Sequence, residues 1–288
     1  MHTHSSNERR IFWSAVLTGG FMLAEFVGGL ASGSLALLAD AGHMLTDFAS
    51  LALAWFAFRL SRRPADWRRT YGFDRFQVMV AFLNGLTLIV IVLWIVYEAA
   101  DRLLGPVPVL GAPVVAIAAV GLVVNLGAFW LLHGADRTNL NVRGAAFHVL
   151  GDLLGSAAAL VAGAVILLTG WTPIDPILSM FVGLLILRSA WTLVGEAGHI
   201  LLEGAPAGID TREIGTDLVA NVPSVEGVHH IHAWSITQER RMITLHARIA
   251  EGMPAEAATA AIKTRLRDRF DMSHATVEVE RGACADEE

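Results

Sequence analysis

Six long apolar runs, all within residues 1–198 of a 288-residue chain, constrain its fold more than any other feature. They lie near 11–30, 35–58, 77–99, 113–132, 144–168 and 174–195. At ~1.5 Å rise per residue, each is long enough to cross the ~30 Å hydrocarbon core of a bilayer. A chain in lipid must satisfy its own backbone polar groups, so the runs read as spanning helices. Turn chemistry separates them: ASGS at 31–34, then Gly105, Pro106 and Pro108, then Trp171-Thr172-Pro173. The N-terminal MHTHSSNERR has no small-residue cleavage site, so the first run is expected to be a spanning helix and not a removed signal peptide.

Arginine sets the expected orientation. Arg9, Arg10, Arg59, Arg62, Arg63, Arg68, Arg69, Arg75, Arg137 and Arg143 collect on one side, against Arg102 on the other. The rich side is expected to be cytoplasmic, with both termini inside a multi-pass protein of the cell's inner membrane.

Residues 199–288 read differently. They hold 15 Asp+Glu and 9 Lys+Arg and so carry the whole net charge of −6. No basic patch points to nucleic acid. The single cysteine, Cys284, excludes an internal disulfide. Helices are expected at Thr211–Asn221 and Pro254–Phe270, and strands at Val225–Thr237, Met242–Ala250 and Ala275–Glu280. The order αββαβ suggests a small α+β sandwich. The domains are therefore expected at 1–202, an all-α six-helix transmembrane bundle, and at 203–288, a small cytoplasmic α+β domain.

The chemistry begins with ionisable residues inside the apolar runs. A buried Asp costs ~2.5–3.5 kcal/mol on insertion scales, so such residues usually face the bundle interior and serve function. The second run contains Asp40, His43 and Asp47; the fifth contains His148 and Asp152. In both, an Asp follows a His by four positions, which puts the two side chains on one helix face a turn apart. Two such helices can converge two imidazoles and two carboxylates on one cation. Zinc accepts that donor set at ~2.0–2.2 Å with four ligands. Magnesium or calcium would call for more oxygens, and copper(I) for sulfur. The plainer reading of one His–Asp pair is a buried contact between helices. Two identical pairs favour the metal site. Asp40 reads as a group behind the ligands, part of a proton path, or a polar residue near the outer mouth.

The tail is also rich in donors. GVHHIHAW holds His229, His230 and His232, the next strand holds His246, and the last holds His274, Glu278 and Glu280, followed by Cys284. Strict strand alternation puts His230 and His232 on one face and His229 on the other. Exposed histidine is common on soluble domains, but this many donors in three adjacent elements favours metal. Glu25, Asn84 and Asn125 read as interhelical hydrogen-bonding or pathway-lining groups. His2 and His4 form a weak H-x-H pair, and His133 and His199 read as interfacial.

LADAGHMLTD at 38–47, AAFHVLGDLLGS at 145–156, LLEGAP at 201–206, VHHIHAWS at 228–235 and HATVEVE at 274–280 resemble the cation diffusion facilitator family, nearest its bacterial CzcD-like zinc exporters. The resemblance covers about residues 10–284. It implies a homodimer that exchanges cytoplasmic divalent metal for protons by alternating access, with a metallochaperone-like tail. It implies transport ligands at His43, Asp47, His148 and Asp152, with Zn2+ as transported substrate. It implies Zn2+ as a regulatory ligand in the tail, at His229, His246, His274 and Glu280, with His232 and Cys284. Arg75 matches a basic residue that helps hold the family's dimer. The loop RRPADWRRTYGFDR departs from relatives that carry metal ligands there: Arg69 and Phe73 stand where histidine would. HGADRTNLNVR keeps only His133 of a connection that is long and His-rich in some relatives.

The reading is thus a proton-coupled zinc exporter working in a lipid bilayer. The alternatives are a broader exporter of cadmium, cobalt or nickel, a membrane-anchored metal sensor, and an intramembrane metalloenzyme. The last lacks H-E-x-x-H and a carboxylate left over to act as base.

Overall fold

Where the apolar runs fall, the structure, a computed structural model, forms long helices. It describes residues 2–32, 35–105, 111–133, 140–282, 284 and 286; within the helices the side chains of Glu25, Asp40, His43, Asp47 and His148 are among those outside the described set. The N-terminal His2 and His4 side chains lie outside it too, as do residues 33–34, 106–110 and 134–139 of three expected connections. The order is α1 (His2–Ser32), α2 (Leu35–Ser61), α3 (Asp74–Leu104), α4 (Gly111–His133), α5 (Leu140–Thr169) and α6 (Ile174–Leu201), then α7 (Thr211–Asn221), β1 (Val225–Thr237), β2 (Arg240–Ile249), α8 (Ala255–Phe270) and β3 (His274–Glu280). Among the described residues, Asp74–Leu104, Val114–His133, Val142–Thr169 and Ile174–Leu201 are long and apolar enough to cross a membrane. The chain divides into two compact units, Met1–Ala197 and Gly198–Glu288.

In the first unit α1 packs on α2 and α4, α4 on α5, and α2 on both α3 and α5. Ile11 and Ala15 of α1, Leu51, Ala54 and Phe58 of α2, Ala128 and Leu132 of α4, and Val142, Ala145 and Val149 of α5 share one buried cluster. Lipid tails are as apolar as leucine, so helix association in a bilayer depends on close packing and on hydrogen bonds between helices. Both are present. A Cβ on Gly163 would stand 3.3 Å from the Gly111 carbonyl and 3.2 Å from the Val115 nitrogen, so α4 and α5 touch backbone to backbone. A Cβ on Gly85 would stand 2.7 Å from Val194, which marks the α3–α6 contact. Asn84 donates to the Ser50 carbonyl at 3.4 Å, and Asn125 to Ser156 Oγ at 3.2 Å. These two asparagines are interhelical ties, the first of the two roles open to them from sequence. Arg143 of α5 grips Glu196 of α6 with both Nη atoms, and Arg102 approaches Asp175 at 3.8 Å.

α6 stops where LLEGAP begins. Glu203 takes a left-handed φ of 59°, its N–H bonds to the Ile200 carbonyl, and the Gly204 N–H bonds to the His199 carbonyl at 2.9 Å. That double bond is a Schellman closure. The His199 ring lies over Gly204, where a Cβ would come within 2.2 Å of it, and its Nε2 meets the Ala205 carbonyl at 2.8 Å.

In the second unit β1 and β2 form an antiparallel hairpin, and α8 carries the chain across to β3, which pairs parallel with β2. Along α8, Ala258, Ile262, Leu266 and Phe270 recur every fourth residue and are buried. With Ile214 and Leu218 of α7 they cover Ala233, Ile243, Leu245 and Ala247 of the sheet. Asp217 of α7 and Arg265 of α8 form a paired bond, with Nε to Oδ2 at 2.7 Å and Nη2 to Oδ1 at 2.6 Å. That bond from Arg265 holds the Asp217 carboxyl below its usual range.

Candidate metal centres

Strand alternation builds most of the tail site. β2 turns Ile243, Leu245 and Ala247 toward the helices, so His246 between them faces the opposite side of the sheet. On β3, Val277 packs with the core, so Glu278 and Glu280 share the face of His246. His246 lies directly across from His229 on one side and Glu278 on the other.

The expected split of the β1 histidines does not hold. The register shifts between His229 and His232, and His230 takes a φ of 47°. Such a bulge inserts an extra residue and re-aims its side chain. His230 is thereby brought beside His229 rather than across from it: the His229, His230 and His246 rings stand 5.0–5.4 Å apart, centroid to centroid. Beyond β3 the chain returns Cys284, whose Sγ lies 3.6 Å from His246 Nδ1 and 3.7 Å from His230 Nδ1. Donor atoms of His229, His230, His246 and Cys284 lie within 4.8 Å of one another, as do those of His246, Glu278 and Glu280. Asp286 also approaches, at 3.4 Å from His246 Nε2.

Of the six tail residues expected from sequence, His229, His246, Glu280 and Cys284 come together. His232 and His274 do not join them. His232 pairs with Thr244 and His274 with Met242, two and four residues along β2 from His246, and both rings are exposed. At ~3.3 Å per residue, His274 starts ~13 Å away along the strand. Sequence periodicity missed His230, because a bulge leaves no mark in an alternating pattern.

The electrostatics fit a cation. Burial alone would push the Glu280 carboxyl up, but bonds from His246 and Cys284 and the nearby His229 hold it below its ordinary value. Burial pushes the Cys284 thiol up, the Asp286 N–H opposes this, and Glu280 adds to the rise. His229 Nε2 is buried with no hydrogen bond, although Glu280 Oε2 stands 3.2 Å away out of line. An orphaned buried nitrogen is costly, and a metal ion would satisfy it. Zinc at ~2.0–2.3 Å from its ligands needs donors ~3.5 Å apart, about an ångström inside the observed spread. The donor set of imidazole, thiol and carboxylate suits a borderline-soft cation.

In the first unit, Asp40, His43 and Asp47 lie on α2, and His148 and Asp152 on α5. The two helices pack against each other. Phe48 and Leu51, next to Asp47 and a turn beyond it, share a cluster with Ala145 and Val149, which flank His148. Asp152 is partly buried. One turn on, Ser156 accepts the bond from Asn125, and a Cβ on Gly151 would meet Ile186 at 3.1 Å, so both flanks of that turn are closed by neighbouring helices.

Comparison with known proteins agrees with both units. Residues 11–202 match the family model of the cation efflux transmembrane domain, and residues 206–282 that of the cation efflux protein cytoplasmic domain. The chain is 47% identical to the zinc transporter ZitB of Pectobacterium atrosepticum, over 99% of this chain and 89% of the relative. It is 37% identical to a cadmium, cobalt and zinc/H(+)-K(+) antiporter of Bacillus velezensis, over 98% and 91%. It is 36% identical to the metal cation efflux system protein CzcD of Cupriavidus metallidurans, over 98% and 90%. These relatives are named as transporters, not enzymes. The chain is a multi-pass membrane protein and belongs to the cation efflux family, the cation diffusion facilitators.

Proposed function

We propose that this protein exports zinc from the cytoplasm in exchange for protons, by alternating access through a site of His43, Asp47, His148 and Asp152. One observation carries the reading: two His-x-x-x-Asp pairs occupy α2 and α5, and those helices are in direct contact with their flanking residues in one buried cluster. The zinc named for the ZitB relatives and the antiport named for the Bacillus protein support it.

Ligation requires neutral imidazole and ionised carboxylate, so loading zinc releases protons. Imidazole titrates near pH 6.5, within the working range of an energised membrane. A site open to the more acidic outside takes protons and lets zinc go; a site open to the cytoplasm does the reverse. Protons then offset the aspartate charges on the return step, which would otherwise stand uncompensated within the bilayer. Asp40, a turn before His43, stands behind the ligands or on the proton path. On this reading both termini face the cytoplasm, the protein works as a homodimer in the inner membrane, and residues 1–202 and 203–288 divide transport from regulation. The cluster around His246 binds regulatory zinc. Uptake of zinc into sealed vesicles holding the purified protein, with and without an imposed pH gradient, tests the assignment.

A second reading has one observation in its favour: the Bacillus relative is named for cadmium and cobalt besides zinc. Affinity order alone does not exclude those ions. Competition among the metals in the same vesicles separates the two.

A further inference from the structure

We propose that the loop joining α2 to α3, residues 62–73, grips the phosphate of an anionic phospholipid headgroup in the leaflet on its own side of the bilayer. The loop and the first turn of α3 contain Arg62, Arg63, Arg68, Arg69 and Arg75, against Asp66 and Asp74. The loop links helices of the transmembrane domain, so it stands at headgroup level.

Its shape is fixed by its own bonds. Asp66 Oδ1 accepts the backbone N–H of Arg68 at 2.8 Å and of Arg69 at 2.7 Å. The Asp66 N–H bonds to the Arg69 carbonyl at 3.1 Å, and Gly72, at φ 66°, bonds to the same carbonyl at 2.8 Å. One oxygen of Asp66 is thus taken up by backbone, and the other stands 3.8 Å from Arg69. The acid thus shapes the loop.

Aromatic rings choose the occupant. Trp67 is 82% exposed and Tyr71 40% exposed. Tryptophan and tyrosine collect at the membrane–water boundary, where an apolar ring and a polar edge both find partners. The Arg68 guanidinium stacks over Trp67 at 4.6 Å, and that of Arg69 over Phe73 at 4.5 Å. A guanidinium stacked on a ring keeps its in-plane N–H edge for a forked bond to phosphate. Helix orientation requires only the number of arginines. It does not require a bonded turn that presents stacked guanidinium groups beside an exposed indole.

The test uses the full chain in nanodiscs of phosphatidylcholine. The Trp67 emission is isolated as the difference between wild type and Trp67→Phe. Phosphatidylglycerol or phosphatidylcholine, brominated near the headgroup, is added at equal mole fraction, and soluble glycerol phosphate is added in a third arm. Trp67 should be quenched far more by the brominated anionic lipid, and glycerol phosphate should not displace it. Arg63→Gln and Arg68→Gln should each lower the preference by about fivefold, while Arg68→Lys keeps part of it. Equal quenching by the two lipids overturns the proposal. So does the absence of quenching by either, which would mean that the indole does not stand among lipid headgroups. Displacement by glycerol phosphate would make it a phosphate site without a lipid. The wild-type comparison decides even if an arginine variant fails to insert.

Discussion

Comparing His246→Ala with His232→Ala and His274→Ala separates the tail cluster seen in the structure from the ligand set that the family resemblance implies. The His246 ring is common to both donor groups: Nδ1 lies 2.9 Å from Glu280 Oε1 and 3.6 Å from Cys284 Sγ, and Nε2 lies 3.6 Å from Glu278. A ligand that binds only the folded state stabilises it by RT ln(1 + [L]/Kd), which is about 2.7 kcal/mol at a hundredfold excess over Kd. Amide exchange through unfolding of the second unit should then slow by about a hundredfold. We expect that slowing across β1, β2 and β3 when zinc is added to the full-length protein. Hydrogen exchange resolved by peptide mass keeps the readout local to this unit. His246→Ala should abolish the slowing. His232→Ala and His274→Ala should keep it, because those rings lie two and four residues along the ladder from the cluster. The reasoning fails if His274→Ala removes the zinc response as fully as His246→Ala.

Asp47→Ala and Asp152→Ala should each abolish zinc flux in vesicles while insertion, judged by yield and monodispersity, is retained; near-normal flux in either would remove that residue from the site. His43→Asp should weaken discrimination for zinc over harder cations, because exchanging nitrogen for oxygen hardens the site, and a metal-competition assay reads it. Leu218→Ala should cost the second unit about 2–5 kcal/mol, since the side chain is fully buried among Ile262 and Leu266, and denaturant unfolding measures it. Asp217, held below the ordinary carboxylate range by Arg265, contributes stability that is fully present above the unfolded carboxylate's pKa of ~3.9. That stability is lost as pH falls through the folded value, so Asp217→Asn should flatten the acid limb of the second unit's stability curve.

Much of the architecture was legible because it is periodic. Apolar runs longer than a bilayer is thick are hard to mistake, and the fourfold spacing of Ala258, Ile262, Leu266 and Phe270 marks α8 directly. LLEGAP was visible only as a family motif, and its part in stopping α6 was not: Glu203, not glycine, takes the left-handed position, and the His199 ring lies over Gly204. In the tail site, His246, Glu280 and His229 were legible through the family resemblance, while their adjacency rests on the strand pairing, since alternation alone set His229 apart from His230 and His232. His230 enters through a single bulge, which composition does not encode. His232 and His274 were expected there because the family resemblance implies them, and the ladder register holds them elsewhere. The two His-x-x-x-Asp pairs were legible for a different reason: charge inside an apolar helix is so costly that its presence alone draws attention.

The central claim is that zinc and protons compete for one site within the helical bundle. It is tested most directly in sealed vesicles that contain the purified protein and a trapped pH dye. A zinc gradient should drive an opposite proton flux, collapsing the pH gradient should slow uphill zinc movement, and Asp152→Ala should show neither effect. Zinc movement with no proton signal, at a rate unchanged between about pH 6 and 8 where imidazole titrates, would contradict the account.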